Sequence, residues 1–264
     1  MNFEKEIKMN KQEMKDLVTK AHHELFNLHD TTALDRYFSE DFIEHSPLVA
    51  NGISGLRQLV EDCPDMQHEA VRVLADGDLV AIHGRFQGLD ENPLVGFDIY
   101  RVKDGKIVEH WDGLVAEAAP NVSGRTQLDG PTEIVTHHDP EKNREIVTSF
   151  FKKSLIDGNY EAFKEYTHND QFIQHSPDIG DGVKAVIDFL NNIRNEGQGL
   201  VYSKTHRSIA DGQFVLTHSE GSIAGNRHAY FELWRVDNGK IVELWDAIPA
   251  VPEDEQAVHQ YGVF

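Results

Sequence analysis

Asp104-Gly105-Lys106-Ile107-Val108-Glu109-His110-Trp111-Asp112 returns 134 residues later as Asn238-Gly239-Lys240-Ile241-Val242-Glu243-Leu244-Trp245-Asp246. Working upstream, Phe97-Asp98-Ile99-Tyr100-Arg101-Val102 is answered at the same shift by Phe231-Glu232-Leu233-Trp234-Arg235-Val236. His83 and Ala75-Asp76-Gly77 are answered at a shift of 135 by His218 and Ala210-Asp211-Gly212. Phe42-Ile43-Glu44-His45-Ser46-Pro47 returns at a shift of 130 as Phe172-Ile173-Gln174-His175-Ser176-Pro177. Ordered matches whose offsets drift by a few residues, as loops absorb, mean a tandem duplication of one domain of roughly 110–130 residues.

Within each copy helical spacing comes first and strands follow. Met14, Leu17, Val18, Ala21, Leu25 and Phe26 keep a helical period, answered by Ile146, Phe150 and Leu155. A short helix follows near Ala33–Phe38, and near Tyr160–Tyr166 in the second copy. A third carries Ile53, Leu56, Leu59, Val60 and Cys63, matched by Val183, Val186, Ile187, Leu190 and Ile193. The β-rich runs then lie around Ala70–Leu74, Leu79–Gln87, Val95–Val102 and Lys106–Val115. Asp104-Gly105 joins the last two as a two-residue hairpin, with Asn238-Gly239 at the same turn of the second copy. Helices leading into an antiparallel meander predict an α+β fold with helices packed on one face of each sheet. The expected organisation is a first copy over 1–122, a Gly-, Pro-, Thr- and Asp-rich linker over 123–140, a second copy over 141–250 and an extended tail over 251–264.

Composition narrows the function classes. The 264 residues carry a net charge of −20, and no cluster of Lys and Arg is present to bind phosphates, so nucleic acid is not an expected partner. The charge divides as −11 up to Gly130 and −9 beyond it, so neither half is a charged tail. With 39% hydrophobic residues and no apolar run near the ~20 residues of a membrane span, no membrane association is expected. The opening MNFEKEIKMNKQEMK does not read as a secretory leader, and a cytoplasmic location is expected. The single cysteine, Cys63, excludes an intrachain disulfide. It aligns with Ile193 on an apolar helical stripe and reads as a small buried hydrophobe.

Four polar slots recur among apolar neighbours: His45, His83, Asp98 and Asp112, answered by His175, His218, Glu232 and Asp246. His45 reads equally as a turn residue bonded to backbone or as a site residue, and His83 as a satisfied core histidine or a site residue. Asp98 lies in mid-strand, where a carboxylate is disfavoured unless wet or paired. Period-two alternation puts Val108, His110 and Asp112 on one face, opposite Ile107, Glu109 and Trp111. His110 becomes Leu244 and Glu44 becomes Gln174, so the repeat excludes both from the essential set.

The Phe-Ile-x-His-Ser-Pro segment, the strand histidine, Asp98-Ile99-Tyr100-Arg101-Val102 and the closing Asp104–Asp112 stretch resemble the SnoaL-like proteins. These are relatives of polyketide cyclases within the nuclear transport factor two-like superfamily, and the resemblance covers nearly the whole chain, once per repeat. It implies two tandem cone-shaped domains, each a curved antiparallel sheet wrapped around N-terminal helices. It also implies that the four slots converge on a pocket for a small hydrophobic molecule, lined by Trp111 and Tyr100, or by Trp245 and Trp234. By that analogy Asp112 is the general base, His45 and His83 donate to a developing oxyanion, and Asp98 orients a histidine, with no cofactor and no metal.

The expected activity is a cofactor-independent lyase or isomerase, of the aldol-condensation or cyclase type, acting on a small carbonyl compound. A noncatalytic ligand-binding or dimerisation module of the same fold is the alternative, and the character of the interior separates them. Buried, mutually bonded His and Asp favour chemistry; an interior filled by its own side chains favours a structural role. Metal binding is a third reading, although the histidines lack tight motif spacing. Relatives that dimerise through their sheets imply an intramolecular pseudo-dimer of the repeats, compatible with a homodimer of such pairs.

Overall fold

The computed structural model describes residues 9–264; residues 1–8, where the charged opening stretch begins, lie outside the described residues. Two compact units divide the chain, one running up to Asp112 together with Glu253–Phe264, the other Gly113–Pro252.

In the first unit α1 (Lys11–His22) starts at a capping box: Asn10 accepts from the Glu13 amide and Glu13 reaches back to the Asn10 amide. A π-helical turn, His23–Asn27, continues it, and α2 (Ala33–Tyr37) and α3 (Ile53–Asp62) follow. The strands are β1 (Phe38–Glu44), β2 (Gln67–Asp76), β3 (Leu79–Gln87), β4 (Leu94–Lys103) and β5 (Lys106–Ala116), in the sheet order β1-β5-β4-β3-β2. At the β4–β5 turn Asp104 and Gly105 both have positive φ, 51° and 76°, as the hairpin reading requires.

The second unit repeats the plan. It contains α4 (Pro140–Phe150), a π-helical turn Phe151–Ile156, α5 (Phe163–Tyr166) and α6 (Val183–Asn195). Its strands are β6 (Ile173–Gln174), β7 (Leu200–Asp211), β8 (Phe214–Ile223), β9 (Asn226–Asp237) and β10 (Lys240–Ala247), in the order β6-β10-β9-β8-β7. Asp139 caps α4 through the Glu141 and Lys142 amides, with Pro140 in the first turn.

The strands read from the sequence form the expected antiparallel meander in each copy, and one further strand, not expected from the sequence, adds to each sheet in parallel. β1 pairs in parallel with β5, setting Glu44 opposite His110, and β6 pairs in parallel with β10, setting Gln174 opposite Leu244. The connection between these partners spans the whole copy, so local periodicity gives no sign of it. Register shifts in β2 and β7 mark bulges, which bend and twist the strands they interrupt.

The segments expected as linker and tail are anchored. Residues 123–140 belong to the second unit, where Arg125 donates to Asp181 at 3.1 Å and the Val135 amide to Gln213 Oε1 at 2.8 Å; just before them Asn121 Nδ2 donates to the carbonyls of Gln174, Ser176 and Ile179. The tail belongs to the first unit, where the Val258 amide donates to the Pro47 carbonyl. Asn121→Ala removes the side chain that holds three carbonyls and is expected to cost the second unit about 1–3 kcal/mol. Urea unfolding monitored by tryptophan fluorescence measures this, and an unshifted midpoint would show that the bonds do not anchor the segment.

Candidate functional site

Strand alternation sorts the candidate residues before any distance does. Successive side chains take opposite faces, and residues paired across antiparallel strands share one. Phe97 pairs with His83, and Asp98 with Ile82. His83 therefore faces away from Asp98, with its ring stacked on Phe97 at 4.4 Å and 13° and its Nδ1 accepting from the Arg72 guanidinium at 3.1 Å. His45 lies on that same side. Its ring stacks on Trp111 at 4.8 Å and 14°, its Nε2 donates to Glu109 at 3.0 Å, and its Nδ1 reaches the Gly262 carbonyl at 2.9 Å.

The expected convergence of His45 and His83 with Asp98 and Asp112 thus fails, and Trp111 is not a wall of the helix-covered interior. The second copy repeats the arrangement. His175 stacks on Trp245 and donates to Glu243 at 2.8 Å, while His218 stacks on Phe231 and accepts from Arg207. These recurring histidines hold the same positions in the fold of both copies.

On the helix-covered face of the first unit a different set converges. His110 Nδ1 donates to Glu44 Oε1 at 2.8 Å, and its Nε2 donates to Asp98 Oδ1 at 3.1 Å. All three are buried, Glu44 completely. Burial by itself disfavours the imidazolium, but the two flanking carboxylates outweigh it and hold the His110 pKa well above its ordinary value. Tyr100 stacks on the His110 ring at 4.4 Å, and its hydroxyl meets His22 Nε2 at 2.6 Å. His22 Nδ1 lies 3.1 Å from His68 Nδ1. Burial lowers the pKa of both histidines, so they are neutral at pH 7.

Asp112 belongs to this face by alternation from His110. By area it is half-buried, yet desolvation of its carboxyl dominates and pushes its pKa up to about 7. The His110 charge opposes the rise, Glu44 and Asp98 add to it, and a Ser46 hydroxyl bond draws it down.

Sequence reasoning thus passed over Glu44, His110, His22, His68 and Ser46. One signal was available: His22 lies four residues after Val18 on the apolar stripe of α1, where an imidazole needs a partner. Among the described residues no three His, Cys, Asp or Glu side chains gather as metal ligands.

The corresponding interior of the second unit is differently filled. Leu244 stands at the place of His110, Gln174 at Glu44 and Trp234 at Tyr100, and Phe151, Tyr202, Trp234 and Leu244 join one buried hydrophobic cluster. Its two acids remain. Desolvation raises Glu232 to about 8, against the bond it accepts from Tyr202 at 2.9 Å, and raises Asp246 to about 7.

His110→Leu copies the second unit's residue but strands two buried carboxylates. It is expected to destabilise the first unit by about 3–5 kcal/mol, and adding Glu44→Gln should recover part of that loss. Thermal unfolding of both variants tests this; strictly additive losses would refute the coupling. For Glu232 the folded pKa lies above the ordinary 4.5, so its contribution is complete below about 4.5 and lost as pH rises through about 8. Glu232→Gln should therefore gain on wild type between pH 5 and 9 by on the order of a few kcal/mol in urea titrations, and parallel pH profiles would exclude the raised pKa.

The SnoaL-like domain family matches residues 19–110. No curated protein shows significant sequence similarity to the chain. Among solved structures, TsrD from Streptomyces laurentii is 19% identical over 40% of this chain and 91% of its own, with a TM-score of 0.36. A nuclear transport factor two-like protein of unknown function from Mesorhizobium loti is 21% identical over 41% of this chain and 96% of its own, at 0.36. A candidate polyketide cyclase from Bacillus cereus is 23% identical over 39% and 74%, at 0.35. At these identities and scores none bears on substrate or chemistry. The first copy of the tandem repeat, at residues 19–110, is a SnoaL-like domain.

Proposed function

We propose that the first unit is a cofactor-independent acid–base site for a small carbonyl compound, of the cyclase, aldol or isomerase kind, and that the second unit serves a structural or ligand-holding role. The observation that carries this reading is the buried, mutually bonded Glu44–His110–Asp98 chain beside Asp112, set against a second interior filled by its own aromatic and aliphatic side chains.

Asp112 acts as the general base. An ordinary aspartate is too weakly basic to take a proton from carbon next to a carbonyl, whereas a pKa of about 7 leaves both forms populated at neutral pH. The same carboxyl can therefore accept the proton and return it to another atom of the intermediate. His110 gives no proton, because both its N–H groups are engaged by carboxylates. It supplies a fixed positive charge in a site of low dielectric, where such a charge acts on developing enolate density without reorganising. In the second unit Asp246 keeps a raised pKa but lacks the imidazolium, with Leu244 at the place of His110 and Trp234 at that of Tyr100.

Deuterium exchange into the α-carbons of cyclohexanone in D2O, followed by proton NMR, tests the chemistry without knowledge of the natural substrate. Exchange should exceed the buffer rate and rise with pH through about 7 as Asp112 ionises. Asp112→Asn should lower it by roughly 10²–10⁴-fold, the usual contribution of a positioned base, and Asp246→Asn should leave it unchanged. Full exchange activity in the Asp112→Asn, Asp246→Asn double variant would end this assignment.

A further inference from the structure

The first unit's acid–base site has a base and a fixed charge, and needs a donor for the substrate's oxygen. Every N–H of His110 is taken, and His45 and His83 face away. Among the described residues of this cluster two buried atoms make no hydrogen bond: Glu44 Oε2, which as a carboxylate oxygen only accepts, and a ring nitrogen of His68. His68 is buried, only 7% exposed, and its Nε2 makes no hydrogen bond; the nearest carboxylate oxygen, Asp98 Oδ2, lies 4.0 Å away, beyond bonding distance. A buried ring nitrogen without a partner is costly, and such atoms merit a functional explanation. The neighbouring strand runs close at Gly84, where a Cβ would come 2.4 Å from the Glu69 carbonyl oxygen and 3.0 Å from His68 Nε2.

We propose that His68, through Nε2–H, is the hydrogen-bond donor to the substrate's carbonyl oxygen in the first unit, and that Tyr100 and His22 are positioning residues that fix its tautomer. The proposal rests on the acid–base reading above.

Counting protons along three contacts fixes the tautomer of His68. The Tyr100 phenol holds one hydrogen, and its hydroxyl meets His22 Nε2 at 2.6 Å, so the phenol donates and that nitrogen accepts. Neutral His22 then carries its hydrogen on Nδ1, which faces His68 Nδ1 at 3.1 Å; one of these two nitrogens must donate, and it is His22. His68 Nδ1 accepts, which leaves its single hydrogen on Nε2, the unpartnered atom. Reversing the order would leave the Tyr100 hydroxyl hydrogen unused in a buried position.

The step balances simply. Asp112 takes the α-proton as the C–H bond breaks, the electron pair moves into the enolate, and His68 Nε2–H bonds to the enolate oxygen without giving up its proton. Asp112 then returns the proton. A neutral imidazole suits this role because it stabilises an oxyanion without acting as a competing acid, the behaviour seen in triosephosphate isomerase. In the second unit Phe151 packs against both Trp234 and Tyr202, and the Tyr202 hydroxyl is already spent on Glu232 at 2.9 Å, so the histidine pair has no counterpart there.

Two measurements on the full chain decide the matter. Long-range proton–nitrogen NMR correlations of the uniformly 15N-labelled protein should show His68 as the Nε2–H tautomer, turning into a mixture in Tyr100→Phe. An Nδ1–H tautomer in wild type, or no change in the variant, overturns the positioning chain. In cyclohexanone exchange, His68→Phe should lose roughly 10²-fold, the size of one oxyanion donor, while His68→Gln, which keeps an N–H, should recover part of it at unchanged pH dependence. Circular dichroism and thermal melting confirm that each variant folds. Exchange that needs Asp112 but ignores His68 overturns this proposal and leaves the acid–base reading intact. No exchange in wild type overturns both, and a correct tautomer signature would then mark the histidine chain as structural.

Discussion

A protonated imidazole held between two buried carboxylates is the constraint around which the first unit is organised. None of the three groups tolerates burial alone: the transfer cost of a lone charge runs to several kcal/mol even after relaxation. His110 must therefore face Glu44 and Asp98 together, and this sets requirements on three strands. β1 runs parallel beside β5 so that Glu44 stands opposite His110, and β4 supplies Asp98 from the other flank. Tyr100, two residues along β4 on the same face, then covers the ring.

The same arrangement explains the electrostatic contrast within one small volume. His110 is charged because two anions flank it, whereas His22 and His68 are neutral because burial dominates their surroundings. Asp112 sits between these regimes, desolvated and near two carboxylates, with a nearby cation only partly compensating. A carboxyl that titrates near neutral pH is a product of that balance. It would shift if either carboxylate or the imidazole were replaced.

The second unit shows that the fold itself needs none of this. With Leu244, Gln174, Phe151, Tyr202 and Trp234 at the corresponding places, it builds the same sheet order and closes a continuous apolar cluster. Replacing buried ions with packed apolar groups keeps a fold and often stabilises it. What recurs in both copies is the second set of contacts: a histidine stacked on tryptophan and bonded to glutamate, and another stacked on phenylalanine beside arginine. Recurrence between copies therefore reports what the copies share, which is architecture. The residues that differ, Glu44 and His110 foremost, carry the chemistry proposed for one of them.

Sequence alone determined the duplication, the helices and the four meander strands that follow them (though not β1 and β6 between the helices), the hairpin turns at Asp104-Gly105 and Asn238-Gly239, and the carboxyls Asp98 and Asp112 as residues out of place in an apolar run. These are local signals, read from spacing over a few residues or from identity between copies. Tertiary structure alone decided which histidines meet those carboxyls. That choice depends on the parallel pairing of β1 with β5, whose partners are 66 residues apart at Glu44 and His110, and on bulges that change which side chains share a face. Because side chains alternate with a period of two, a single-residue change in register moves a histidine from one side of the sheet to the other, and no local pattern fixes that register.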